Sequence, residues 1–234
     1  MKNYAIAIIS FSPKQPTIVK SILACPTVSK LVFPAVLPTR PGGGIDLNSA
    51  SEFDLNLVPQ EFSTKSLVNI PLDGKNGIKF SSTIYQKKTV VPNVINLEFN
   101  SQHLEEGILN PDNLQALLTE IIPIFKADHA SIYHQKSALD EEPRYYRTPD
   151  YKSYPLDVDW INYFGPKTIE LLGRWRFNAL KSCANKYDFH EGIMVILQEE
   201  PLDKDKAEHQ KRIELAEAEM GFAELLESDL AVKV

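Results

Sequence analysis

The segment V-D-W-I-N-Y-F-G-P-K-T-I-E-L-L-G at residues 158–173 decides the fold, because strand chemistry changes to helix chemistry within it. Its first half is rich in aromatic and β-branched residues, which suit a half-buried strand. A glycine then allows a turn, and the proline after it presets the first helical position. A second glycine stands where a left-handed residue would end the helix. The segment predicts a strand, a sharp turn and a short helix built for packing, with the structural motif Trp160, Tyr163, Gly165 and Gly173.

The composition is that of a globular protein. The chain has 234 residues, of which 43% are hydrophobic and 24% charged, and these values exclude disordered, collagen-like and membrane-spanning chains. The apolar run near the N-terminus, Y-A-I-A-I-I, is short and β-patterned, and no small-residue cleavage site follows it. We therefore expect a cytoplasmic protein without a signal peptide and without membrane contact.

The negative charge is concentrated at the C-terminus. Residues 199–234 hold 11 of the 31 acidic and 5 of the 25 basic residues, so they carry the whole net charge of −6. Such a block repels nucleic acid and favours a basic protein partner. A solvated helix face is the alternative.

Hydrophobic periodicity predicts an α+β fold, with helices packed on a mixed, largely antiparallel sheet. The pattern indicates a central strand at residues 2–11, a helix at 18–23, an irregular segment at 34–44 and an antiparallel meander within 53–99. Asn110 is a good N-cap for a long amphipathic helix. We expect one domain over residues 1–234. Two subdomains, a strand-rich one at 1–105 and another at 106–234, are the alternative.

Residues 140–155 contain four tyrosines, three prolines and no aliphatic residue, so we expect them outside the core. Tyrosines on a proline-stiffened loop are typical of protein-binding surfaces. The arginines among them also permit stacking on single-stranded nucleic acid, and a loop folded onto its own domain is a third reading.

Cysteines and histidines offer little for chemistry. Cys25 and Cys183 lie far apart and fit neither a disulfide framework nor a metal-ligand spacing. A thiol protease would need Cys183 beside a base, and His190 lacks any supporting motif. His129 and His134 are five residues apart, which suits neither one helix face nor one strand face.

The carboxylates and glycines of the sequence also give no clear catalytic or phosphate-binding motif. Asp157 and Asp159 are expected on one strand face, where two carboxylates more often form a solvated edge than an acid–base pair. Glu200 to Lys206 only approaches a restriction-nuclease pattern and reads as a helix start. The triple glycine at 42–44 lacks the lysine of a phosphate-binding loop. We expect no catalytic residue, no metal ligand and no cofactor, and hence no enzyme.

Several motifs carry a family resemblance. They are W-I-N-Y-F-G-P at 160–166, L-L-G at 171–173, the strand G-I-M-V-I-L-Q-E-E-P at 192–201 with the polar helix after it, and L-N-P-D-N-L-Q-A-L-L followed by F-K-A-D-H-A at 125–130. Over residues 109–222 the chain resembles immunity proteins of bacterial polymorphic-toxin and type VI secretion systems, and it is most similar to the immunity protein 52 family.

This resemblance implies a non-catalytic cytosolic protein that binds and neutralises a cognate toxin, often a nuclease of the restriction-endonuclease type. The acidic block favours a basic toxin. A secretion-system adaptor or an uncharacterised hydrolase is the alternative. The candidate partner-binding residues are Tyr145, Tyr146, Tyr151, Tyr154, Glu199, Glu200, Asp203 and Asp205.

Overall fold

The computed structural model describes residues 1–39, 43–64, 66–74, 76–87, 90–135, 144–148, 152–226 and 231–233. Contacts divide the chain into two compact units. The N-terminal unit comprises residue 1 and residues 5–127, and the C-terminal unit comprises residues 2–4 and 128–234.

The N-terminal unit is built on a sheet that contains an antiparallel meander. Its strands are β1 (Asn3–Ser10, from residue 5 onward), β2 (Ala35–Thr39), β3 (Gly43–Leu47), β4 (Leu67–Gly74), β5 (Lys79–Tyr85) and β6 (Asn93–Asn100), in the order β1-β6-β5-β4-β2-β3. The pairs from β6 to β3 are antiparallel, and β4, β5 and β6 form the meander. The predicted meander is therefore confirmed.

Among the described residues, four α-helices accompany this sheet: α1 (Ile18–Leu23), α2 (Pro26–Val32), α3 (Ser101–Glu105) and α4 (Pro111–Phe125). As predicted, Asn110 caps α4, and its side chain accepts a hydrogen bond from the Asn113 N–H at 2.9 Å. The helix buries its apolar stripe and contacts α1 and α2. Pro123 falls inside its last turn, two residues before the helix ends.

The prediction that residues 34–44 are irregular is wrong, because β2 and β3 form a hairpin there. Leu37 and Leu47 are buried by it, and this burial outweighs the turn-forming composition of the segment. Gly44 is needed for close packing, since a Cβ at that position would collide with the Cγ1 atom of Val36. Residues 40–42 lie outside the described part of the chain.

The C-terminal unit contains a four-stranded antiparallel arrangement. It comprises β7 (His129–Gln135), β10 (Ile161–Phe164), β11 (Asn185–Phe189) and β12 (Gly192–Ile196), in the order β11-β12-β10-β7. A second sheet has the order β13-β8-β9, with β8 at Arg144–Arg147, β9 at Ser153–Pro155 and β13 at Ala231–Lys233. The helices are α5 (Pro166–Leu172), α6 (Arg174–Ala179), α7 (Ala207–Glu219) and α8 (Phe222–Leu226). The expected α+β class with a largely antiparallel sheet is confirmed.

The strand, turn and helix of residues 158–173 form as predicted. Gly165 precedes α5, and its N–H donates to the Asp128 carbonyl at 3.0 Å. Trp160 and Tyr163 are fully buried, and the Trp160 indole N–H donates to the Gln198 carbonyl at 3.1 Å. Gly173 follows α5 with φ of +89°, a conformation that favours glycine.

Within the described residues, every helix is too short or too polar to cross a lipid bilayer.

Candidate functional site

The most organised polar region of the C-terminal unit surrounds the loop between β12 and α7. We call residues 199–206, E-E-P-L-D-K-D-K, the acidic loop. Glu199, Glu200 and Asp205 are exposed, whereas Leu202 is fully buried and fixes the middle of the loop in the core. The helix start expected within residues 200–206 lies one residue beyond them, since α7 begins at Ala207.

Two histidine rings bind consecutive backbone N–H groups of this loop. The Asp203 N–H donates to Nδ1 of His209 at 3.0 Å, and the Lys204 N–H donates to Nδ1 of His134, also at 3.0 Å. His134 and His209 are 5% and 2% exposed. A ring nitrogen that accepts an N–H must be unprotonated, so both imidazoles are neutral with the proton on Nε2.

The side chain of Gln198 makes a third set of contacts that hold the loop, at its start. Its fully buried side chain donates from Nε2 to the Glu200 carbonyl at 3.0 Å, and the same nitrogen lies 3.3 Å from Nδ1 of His209. The backbone on either side of Pro201 is therefore held by buried polar groups, and the exposed carboxylates project from a fixed frame.

Ion pairs of Asp203 and Lys204 also hold the acidic loop in place. The Asp203 carboxylate accepts hydrogen bonds from the Lys2 ammonium and from the Asp205 N–H. Burial alone would raise the pKa of Asp203, but these two donors hold it below its ordinary value. The Lys204 ammonium lies 3.4 Å from the Asp159 carboxylate. Burial raises the pKa of Asp159 to about 6, although the ammonium opposes that rise.

His134, Asp203 and Asp205 also come close enough to suggest a metal site, since one donor atom from each lies within 4.8 Å of the others. The donors are already engaged, however. The Nδ1 lone pair of His134 accepts the Lys204 N–H, and the Lys2 ammonium occupies an Asp203 oxygen. A metal ion would compete with these contacts, so the trio fits a structural role better than a metal centre.

The cysteines have the properties of unreactive thiols. Burial raises the pKa of both Cys25 and Cys183, which favours the protonated form over the nucleophilic thiolate. Cys183 and His190 lie beyond opposite ends of β11, whose five residues alone span about 13 Å at 3.3 Å per residue. The two side chains do not form a nucleophile and base pair.

The structure also gives the surroundings of two weaker candidates, His129 and the pair Asp157 and Asp159. His129 is buried against the Phe164 ring at 5.4 Å, and burial lowers its pKa to about 4. Among the described residues, its Nδ1 has no hydrogen-bond partner. Asp157 and Asp159 were expected on one strand face, but residues 156–159 are not in a strand, because β10 begins only at Ile161.

The structure separates the candidate partner-binding residues. Tyr154 is 2% exposed, so the expectation that it lies outside the core is wrong: β9 pairs it with Tyr146 of β8 and turns its ring inward. Asp203 is buried, and its carboxylate accepts a hydrogen bond from Lys2 within its own unit. Tyr146 is half-buried. Tyr151 and the side chain of Tyr145 lie outside the described part of the chain. Glu199, Glu200 and Asp205 remain exposed.

Sequence reasoning missed an exposed aromatic residue, Trp175, which is 59% exposed at the start of α6. Its indole lies on the Arg176 guanidinium, 4.3 Å from the ring centroid, and Arg176 donates to the carbonyls of Leu172, Met220 and Gly221. A Cβ at Gly173 would lie 2.8 Å from the indole nitrogen, so the glycine makes room for this ring. The R-W-R sequence at 174–176 was the available signal.

The chain matches no known family model and no curated protein. Its fold is similar to that of the Pseudomonas aeruginosa T6SS protein PA0821, with a TM-score of 0.62 and 11% sequence identity over 95% of this chain and 73% of that chain. At this identity the likeness establishes the fold alone, and the resemblance to the immunity protein 52 family stays a prediction.

Proposed function

We propose that this chain is a type VI secretion immunity protein, which binds a cognate toxin through the acidic loop and blocks the toxin's active site by occupancy. The observation that supports this best is the combination of exposed carboxylates with a backbone fixed by buried groups. Glu199, Glu200 and Asp205 project from the loop, and the exposed Glu208 follows on α7. Lys206 is the one exposed basic residue between them.

A fixed loop of this kind favours binding for an energetic reason. Ordering a mobile side chain or loop on association costs about 0.5–1.5 kcal/mol for each group, and that cost is reduced when the loop is already held. Carboxylates held in place complement a basic cleft, which a nuclease needs in order to bind phosphates. The proposed partner is therefore a basic toxin, and a nuclease fits that description.

Two further observations support a role in binding. The exposed indole of Trp175 is the type of side chain that dominates binding energy in many interfaces, and it is held in place before any partner arrives. The raised pKa values of Cys25 and Cys183 disfavour nucleophilic chemistry at either thiol. The proposal therefore includes the absence of catalytic turnover by this chain.

The fold neighbour supports the secretion context. That neighbour is a protein of a type VI secretion system. An adaptor that binds components of the secretion apparatus is accordingly the second candidate function. The two candidates differ in the partner that they bind.

Co-expression with the toxin from the adjacent reading frame tests the proposal. The wild-type chain should protect the cell, and Glu199→Lys combined with Glu200→Lys should weaken toxin binding by at least about tenfold, or about 1.4 kcal/mol. The matched control is Glu61→Lys with Glu105→Lys, which makes the same change of charge at exposed positions of the N-terminal unit.

Equal killing with and without the chain would contradict the immunity role. Recovery of secretion-apparatus components in a pull-down, with no toxin, would favour the adaptor. Equal weakening by the control pair would show that net charge, and not the acidic loop, determines binding.

A further inference from the structure

The two hydrogen bonds that hold the centre of the acidic loop share one chemical requirement. Asp203 and Lys204 present successive backbone N–H groups, and each points at the Nδ1 atom of a different histidine. Both bonds exist only while His209 and His134 are unprotonated at that nitrogen. Successive backbone donors are thus tied to two titratable acceptors from separate elements, β7 and α7.

Protonation of either ring removes its bond completely. A protonated Nδ1 carries its own hydrogen, so an N–H donor would face another donor at 3.0 Å. The loss is larger than that of one hydrogen bond, because the backbone N–H is left buried without a partner, at a cost of about 1–3 kcal/mol. Opening of the loop to water relieves both problems.

We propose that His134 is a pH-sensitive clasp, which holds the acidic loop in its binding conformation near neutral pH and releases it as the ring is protonated in mild acid. This inference rests on the proposed function in one respect, since it treats the acidic loop as the binding surface. Release would lower partner affinity without any change in the partner itself.

The charges that face His134 come from three directions. Asp203 Oδ1 lies 3.9 Å from its Nδ1, and Asp205 lies nearby; both carboxylates favour the charged ring. Lys2 and Lys204 oppose it, and the Tyr4 ring lies against the imidazole with centroids 5.3 Å apart. Burial is the largest influence, and the net result is a lowered pKa for His134.

The charges that face His209 lie on the other side of its ring. Glu200 Oε1 is 3.4 Å and Glu208 Oε1 is 3.8 Å from Nε2, and Gln198 adds a neutral donor near Nδ1. Among the residues described, both carboxylates and ammoniums therefore face His134, whereas carboxylates face His209.

Asp159 acts on the loop in the same direction. Its carboxylate holds the Lys204 ammonium at 3.4 Å, and its pKa is about 6. Protonation of Asp159 removes the negative charge that holds the Lys204 ammonium, so acid weakens the contact of this side chain as well.

Amide hydrogen exchange of the isolated chain tests the clasp without any toxin, so its outcome is independent of the proposed function. After correction for the intrinsic rate, opening at Lys204 should rise between pH 7.5 and pH 5.5. The increase is up to about tenfold, because pH 5.5 is one unit below the ordinary histidine pKa of about 6.5, which applies to the ring once the loop is open. The Gly165 N–H, which donates to the Asp128 carbonyl, is the internal reference and should not change to this extent.

The matched variant is His134→Asn, whose side-chain oxygen occupies nearly the position of Nδ1 and accepts at every pH. It should keep Lys204 protected at pH 5.5, whereas His134→Phe, which has a ring but no acceptor, should leave Lys204 open at both pH values. Wild-type protection that does not change with pH overturns the clasp without recourse to any variant. A folded His134→Asn protein that still opens in acid overturns the role of His134.

Discussion

The His129→Leu variant should be destabilised less by mild acid than the wild-type protein is. His129 is fully buried against Phe164, and burial lowers its pKa to about 4, against an ordinary value of about 6.5. The unfolded chain therefore binds a proton on this residue at a higher pH than the folded chain does. Stability from the neutral ring is complete above about pH 6.5 and is lost as the pH falls toward 4.

The magnitude follows from the two pKa values. The full difference of about 2.5 units corresponds to about 3.4 kcal/mol, and about 2 kcal/mol of this is lost between pH 7.5 and pH 5.0. The free energy of unfolding, measured by urea denaturation at these two pH values, should therefore fall by about 2 kcal/mol less in His129→Leu than in the wild type. His190→Asn, which removes an exposed histidine at a hairpin tip, is the matched control.

The test compares the change in unfolding free energy between the two pH values, and not the free energy at one pH. The reason is that leucine also removes a buried nitrogen without a partner, which can stabilise the protein at both pH values. A His129→Leu protein whose stability falls between pH 7.5 and pH 5.0 as steeply as that of the wild type would refute the reasoning.

Three other changes have expected effects of known sign. Asp159 has the opposite effect on stability, because its pKa is raised to about 6 in the folded chain. As the pH falls from 7.5 to 5.0, this residue should add about 1.4 kcal/mol to the free energy of unfolding. The Asp159→Asn variant should lack this increase in the same urea experiment. Gly173→Ala should lower the free energy of unfolding by about 1–3 kcal/mol, because its φ is +89° and the new Cβ meets the Trp175 indole; an unchanged value would contradict this. Asn110→Ala should cost about 1 kcal/mol through loss of the α4 cap, measured by the urea midpoint, and a loss under about 0.3 kcal/mol would contradict the capping role.

Local sequence rules predicted the parts of the fold that depend on neighbouring residues. The change from strand to helix at Gly165 and Pro166 is written in adjacent residues, and so is the cap at Asn110. The rules failed where tertiary packing outweighs composition. Residues 34–44 are rich in glycine and proline, yet burial of Leu37 and Leu47 selects a hairpin.

The candidate site could be predicted only in part. The acidic character of residues 199–234 was evident from the sequence, but the loop within them was not. The histidines that hold the loop come from positions 134 and 209, and no local pattern joins them to residues 203 and 204. The burial of Asp203 and Tyr154 could not be predicted from the sequence either, because aspartate is usually exposed and tyrosine is usually intermediate in exposure. Polar residues become structural when distant elements supply their partners, and sequence spacing does not report those partners.

The central claim is that the chain acts on a toxin by occupancy, and titration of toxin activity tests it most directly. Purified chain would be added in steps to the toxin from the adjacent reading frame, at a toxin concentration well above the dissociation constant of the complex. The account predicts that activity falls linearly and reaches zero near one equivalent of added chain. Inhibition that is complete at a small fraction of an equivalent and deepens with time would mean turnover, and activity unchanged at several equivalents would mean that the toxin is not the partner.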